Sequence, residues 1–217
     1  HFGGGIFNFN YNSLKGLELT LGGGLNKYIG DHFGHVIWAE YMPDHEKSDK
    51  YYENNSTKYD GNVYLKANYQ WKKFTFFADA QYRHIDYAFL GIDDVSGSIE
   101  EVDQRVFYNF FNPKAGLSYR INSQNSVYAS YAIANREPVR KDFREKTAGN
   151  RPSHETLFNL EAGYRYTHQK AFINANVYHM MYDNQLVLTG EINDVGGYTR
   201  TNVKESYRLG LELEGGY

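Results

Sequence analysis

The chain has 217 residues, a formal net charge of −3 and no cysteine, with a mean hydropathy of −0.67. No run approaches the 18 consecutive apolar residues of a helical membrane span, and the slight acidity argues against a nucleic-acid partner. Yet 21 Tyr and 14 Phe make it 17% aromatic, which in a polar chain suits a sheet with one apolar face and one wet face.

A period of two runs through most of the chain. Phe7, Phe9 and Tyr11 are expected to pair, across a short turn at 12–16, with a strand carrying Leu17, Leu19, Leu21 and Leu25. Gly22-Gly23-Gly24 falls inside that strand, where it relieves crowding or permits a bend. After a long connection at 28–59, Val63, Leu65, Ala67, Tyr69 and Trp71 alternate with mostly polar residues. Only Lys72-Lys73 separates them from Phe74, Phe76, Ala78, Ala80 and Tyr82, with Asp79, Gln81 and Arg83 opposite, which reads as a hairpin. A second long connection at 87–104 leads to Ala115, Leu117, Tyr119 and Ile121, then a turn at 122–125, then Val127, Ala129, Tyr131 and Ile133. Beyond a long connection at 136–154 come Phe158, Leu160, Ala162, Tyr164 and Tyr166, a turn at 168–170, and Ala171, Ile173, Ala175 and Val177. The last long connection, 183–204, precedes Tyr207, Leu209, Leu211 and Leu213, which alternate with Arg208, Gly210, Glu212 and Glu214.

Short turns on one side and long connections on the other are the pattern of an outer-membrane barrel. A soluble barrel with an apolar interior is the alternative. Mid-strand Arg, Glu and Lys and aromatic residues at strand ends favour a polar lumen instead. The fold class is therefore all-β, an antiparallel transmembrane β-barrel segment of about nine strands. Nine strands would leave edges open in lipid, and His1-Phe2-Gly3 follows no signal peptide, so a piece of a larger barrel is expected. The absence of Cys is compatible with export through the periplasm.

Several strings resemble TonB-dependent receptors of the Bacteroidetes type. They are Gly30-Asp31-His32-Phe33-Gly34-His35-Val36-Ile37-Trp38, Asn135-Arg136-Glu137-Pro138, Pro152 with Glu155-Thr156, Glu161-Ala162-Gly163-Tyr164-Arg165, Tyr182 to Gly190, Asn202-Val203 and Ser206 to Gly210. The second and third are similar to the family's motif pair round an extracellular loop, although Ser153-His154 separates Pro152 from Glu155. The resemblance implies the later strands of a 22-stranded barrel with a plugged lumen, in the outer membrane of a Gram-negative bacterium; neither plug nor TonB box is present in this chain. It implies import of a scarce nutrient, an iron-siderophore or similar metal chelate first, with cobalamin, haem and glycans behind it. The partners would be a TonB-type transducer acting through the plug, a small-molecule ligand, outer-membrane lipid and lipopolysaccharide, and a surface lipoprotein.

A passive porin is the alternative function, and a plug upstream would discriminate against it. An outer-membrane enzyme is a third reading; no catalytic constellation supports it, and no cofactor is implied. Asp31, His32 and His35 form an Asp-His-x-x-His cluster in a long loop, able to ligate Zn, Fe or Cu or simply to hold the loop by hydrogen bonds. Arg136, Arg140, Lys141, Arg144, Lys146 and Arg151 make a basic group that could attract an anionic chelate. It could equally meet lipopolysaccharide phosphate or pair with Glu137, Asp142 and Glu145. His154 is a candidate axial ligand for haem.

Overall fold

The computed structural model describes residues 1–41, 50–95, 98–144, 151–192 and 198–217. Its strands are β1 (Phe2–Leu14), β2 (Leu17–His35), β3 (Lys50–Trp71), β4 (Phe74–Val95), the short β5 (Ser98–Glu101), β6 (Gln104–Arg120), β7 (Asn125–Arg136), β8 (Glu155–His168), β9 (Ala171–Ile192) and β10 (Tyr198–Gly216). Nine of them follow one another in chain order across a single antiparallel sheet, and β5 pairs with the far end of β4. A short helix, α1 (Arg140–Arg144), lies between β7 and β8.

At one end the strands are joined by tight turns. Gly16 bends β1 into β2 with φ +77°, where an added Cβ would crowd the Gln70 carbonyl. Asn122 organises the turn between β6 and β7, its Oδ1 accepting the N–H groups of Gln124 and Asn125 at 2.9 Å each.

At the other end the sheet departs from the sequence reading. Much of three of the four expected long connections is strand: β2 continues to His35, β3 begins at Lys50, β4 reaches Val95 and β9 reaches Ile192, whereas the connection expected at 136–154 lies between β7 and β8 and carries α1. Residues such as Asn54, Asn55, Ser56 and Thr57 pair in register with β4, yet they carry no apolar alternation. The backbone ladder requires only hydrogen bonds, whereas the hydrophobic period requires a face turned to lipid or to a core. Beyond the membrane the ladder persists and the period disappears.

The two faces can be compared row by row. Leu17, Tyr69, Phe76, Leu117, Ala129, Ala162, Val177 and Leu211 lie side by side across eight strands, all on one face and all apolar or aromatic. One residue along, the opposite face carries Glu18, Asn68, Phe77, Gly116, Ser130, Glu161, Tyr178 and Gly210. Only the first face has bare aliphatic rows, with Leu209, Leu211 and Leu213 62–71% exposed. That face is the lipid-facing exterior and the other is the lumen wall. Counted along β3, the apolar exterior runs from Trp71 to Gly61, a rise of about 25 Å for strands tilted about 40°. Trp71, Phe74 and Tyr119 close it at the tight-turn end, with ring centroids 6.0 Å and 4.7 Å apart.

On the lumen wall, aromatic rings occupy the space above directly opposite glycines: Tyr64 at Gly22, Phe77 at Gly116, Tyr128 at Gly163 and Tyr178 at Gly210. A Cβ at any of these glycines would overlap the ring. Each pair joins two strands whose chain connection is at the long-loop end. Gly22 of the triple-glycine run thus has a specific task, to leave room for Tyr64.

Candidate functional site: the mouth of the lumen

Beyond the membrane level the lumen wall turns apolar. Ile85, Tyr87 and Phe89 of β4, with Val102 and with Val106 and Phe110 of β6, form a buried cluster. What covers them is the connection that follows β7. Arg136 ends the strand, Pro138 is fully buried, and the chain turns inward into α1. Asp142 supports that turn, its carboxylate accepting the Val139 N–H at 2.9 Å as in a helix capping box. Phe143 is fully buried, 5.6 Å from the Phe89 ring and 6.4 Å from Tyr87. Its carbonyl accepts a hydrogen bond from Gln104 at 3.3 Å.

Charged groups fasten the same segment on both sides of that plug of aromatic rings. Glu137 accepts from Lys58 at 2.8 Å and from two nitrogens of Arg83 at 3.0 Å each. Arg83 also donates to both carboxylate oxygens of Asp60, at 3.0 and 2.6 Å. Burial alone would raise the Glu137 pKa, but the Lys58 hydrogen bond and the Lys58 and Arg83 charges hold it below the usual carboxylate range. Arg140 donates to Asp93 and to Asn54, both at 2.7 Å. On the far side Asp142 meets Arg200 of β10 at 3.5 Å. The next part of the connection is tied to β10 as well, because Asn202 accepts from the Ser153 N–H at 2.9 Å and donates to its carbonyl at 3.0 Å.

The basic residues singled out in sequence therefore have separate partners. Arg136 meets Glu155 at 3.3 Å, Arg140 serves Asp93, and Arg151 donates to the Arg105 carbonyl at 3.4 Å. Arg144 ends α1, and Glu145 and Lys146 lie outside the described residues. Glu137 and Asp142, the acids of this connection, make ion pairs with β3, β4 and β10. His154 packs against Tyr108 and Phe110, with ring centroids at 5.9 and 5.3 Å.

Asp31, His32 and His35 are not in a loop: all three lie within β2. Side chains alternate along a strand, so Asp31 and His35 share the outer face while His32 is turned to the lumen. Asp31 accepts from Asn55 at 2.6 Å, and the charges nearest His32 include Arg140 and Asp93. Among the described residues no three His, Cys, Asp or Glu side chains come together to hold a metal. Of the residues that fasten the mouth, Arg83 was visible in sequence only as a charge opposite the apolar face of its strand, Lys58 fell in the expected connection at 28–59, and Asp60 was not singled out.

Comparison with known proteins agrees with this architecture. The chain covers 99% of its length on the FrpB iron transporter from Neisseria meningitidis, with a TM-score of 0.68 and 18% identity, and 33% of that chain. For the copper transporter OprC the figures are 98%, 0.77, 13% and 34%, and for the ferric-catecholate import receptor Fiu from K12 E. coli they are 99%, 0.66, 16% and 34%. The chain thus spans about a third of the length of these structures. No curated protein matches it in sequence. The family described as TonB dependent receptor-like, beta-barrel matches residues 2–217; its members are outer-membrane receptors and transporters of Gram-negative bacteria rather than enzymes, and the chain belongs to that family.

Proposed function

We propose that this chain is part of the barrel of an energy-coupled importer that captures a scarce nutrient at the cell surface and releases it to the periplasm. The ligand class favoured is an iron-siderophore or similar metal chelate, in keeping with similar structures named for iron, ferric-catecholate and copper transport. The observation that carries the reading is the mouth: its connection turns inward and is pinned to β3, β4 and β10, an arrangement suited to gated capture more than to free diffusion. The outer edges of β1 and β10 have no strand partner among the described residues, and the similar structures are about three times as long, which supports a larger barrel. A plug within the closed barrel would then offer its contact to a TonB-type transducer, with outer-membrane lipid and lipopolysaccharide around the belt and a surface lipoprotein over the mouth. Arg136, Arg151 and His154 are proposed to meet ligand there.

The test uses the full-length receptor in a strain lacking its other iron receptors. Uptake of a panel of radiolabelled ferric chelates is followed with and without the transducer and with and without a proton-motive force. Saturable uptake of one chelate that stops without the transducer is expected. Uptake that is unsaturable and indifferent to the transducer would replace the importer with a diffusion channel.

A further inference from the structure

The wall is interrupted between β6 and β7, in the middle of the sheet. Their ladder ends at the pair Lys114–Ala132, although β6 runs on to Gln104 and β7 to Arg136. Pro113 accounts for the break. Arg120 donates its N–H to the Lys73 carbonyl on the β4 side, and amides alternate in direction along a strand, so the odd residues of β6 face β7. Pro113 is one of them and has no N–H to donate. The ladders on either side continue past this height, β4 with β6 as far as Phe89–Gln104 and β7 with β8 as far as Arg136–Glu155. The sheet is therefore two stiff leaves that meet at a seam, with β1 to β6 on one side and β7 to β10 on the other.

Side chains close the seam where the ladder stops. Asn112 Oδ1 accepts from the Asn135 N–H at 2.9 Å and from its side-chain amide at 3.0 Å, and that amide also donates to the Phe111 carbonyl at 3.2 Å. Each half of this clasp is anchored in its own leaf. Asn112 donates to Gln81 of β4 at 3.0 Å, and Thr156 of β8 donates to Asn135 at 2.7 Å. Above the clasp the inward-turned segment crosses from one leaf to the other. It leaves the top of β7, bonds through Glu137 and Arg140 to β3 and β4, and meets Arg200 of β10 through Asp142. A continuous ladder parts only when many backbone bonds break together. Here one clasp and one strap take its place.

We propose that the barrel wall parts along the β6–β7 seam above Lys114, hinged at Pro113, and that residues 137–144 are the strap that keeps it shut. Release of the strap then widens the mouth by moving the upper ends of strands as well as the connection itself. The device is built into the wall and does not depend on which ligand is carried.

The test spin-labels the full-length receptor in nanodiscs at cysteine pairs on β6 and β9 and reads the label distances by double electron–electron resonance. Phe111→Cys with Asp183→Cys reports above the hinge, and Leu117→Cys with Val177→Cys below it, each pair lying along one row of the outer face. In wild type each pair should give one narrow distance. Asn135→Ala removes the clasp and Glu137→Gln loosens the strap. Each should raise a second component at the upper pair, longer by about 5 Å, one strand spacing. Together they should populate it at least about tenfold more than wild type, with the lower pair unchanged. Pro113→Val supplies an N–H facing Ile133 and should suppress the longer component in the double variant. If Asn135→Ala does not insert, Glu137→Gln with and without Pro113→Val carries the same comparison. An upper pair that stays narrow when strap and clasp are both weakened overturns the proposal. Equal lengthening of both pairs, or indifference of the longer component to Pro113→Val, overturns it as well.

Discussion

Replacing Glu137 with Gln should release the inward-turned segment without unfolding the barrel. The carboxylate accepts three charge-assisted hydrogen bonds, from Lys58 and from two nitrogens of Arg83. The three side chains are only 15–28% exposed, so solvent screens them weakly. Stranding a fully buried charge would cost roughly 3–5 kcal/mol. Here Arg83 keeps both bonds to Asp60, and the amide oxygen of Gln still accepts one bond. A loss of about 2 kcal/mol is therefore expected, of the order of one hydrogen bond to a charged group, which makes opening of the segment about 30-fold more frequent. Hydrogen–deuterium exchange of the full-length receptor in nanodiscs reads this directly, in peptides covering residues 137–144. Their exchange should accelerate while the ladder of residues 63–82 stays protected. Phe143→Ala should have the larger effect, since emptying a buried Phe site costs roughly 3–5 kcal/mol. Unchanged exchange in Glu137→Gln would refute the reasoning, as would an equal acceleration throughout β3 and β4.

The same contact should respond to acid. Glu137 has its pKa lowered in the folded state, so the stabilisation is complete above the ordinary carboxylate value near 4.5 and is lost as pH falls through the depressed folded value. Exchange of residues 137–144, corrected for intrinsic rates, should rise in that window in wild type and stay flatter in Glu137→Gln; parallel profiles would show that another group governs the segment. Gly163→Val should displace Tyr128 from its seat and weaken its 2.9 Å bond to Asn176, at a cost of about 1–3 kcal/mol by overpacking. The urea midpoint for folding into lipid bilayers would fall; an unaltered midpoint would mean that the ring has another place to lie.

The membrane-level sheet was legible because lipid imposes a period. From Val63 to Trp71 and from Phe74 to Tyr82 every second residue must be apolar, and Lys72-Lys73 leaves room only for a hairpin. Alternation therefore gave the strands, their faces and their order. It failed above the membrane, at residues 28–35, 50–59 and 87–95, where water wets the exterior and the loop covers part of the interior. Tyr87 and Phe89 were placed in a loop for this reason, although they are among the buried cluster. Pairing of Tyr64 with Gly22, or of Tyr128 with Gly163, requires the cross-strand register, which alternation does not supply.

The mouth was hidden for a different physical reason. Lys58 and Glu137 are 79 residues apart and Arg83 and Glu137 are 54 apart, and no local period links a loop to the wall beneath it. The local motif was visible, since Arg136-Glu137-Pro138 marked the end of a strand, but it pointed to the bases of the loop. What fixes the loop to β3 and β4 includes its acid, Glu137, answered by cations on the wall. Lys58, Arg83, Asp60 and Glu137 together carry two charges of each sign, so the cluster can be half-buried while contributing little net field at the mouth. If the ligand is the anionic chelate proposed above, its electrostatic attraction arises elsewhere. Arg136 is the clearest example: its side chain remains 57% exposed beside Glu155, where it can be shared with a ligand at far less cost than Arg83 could.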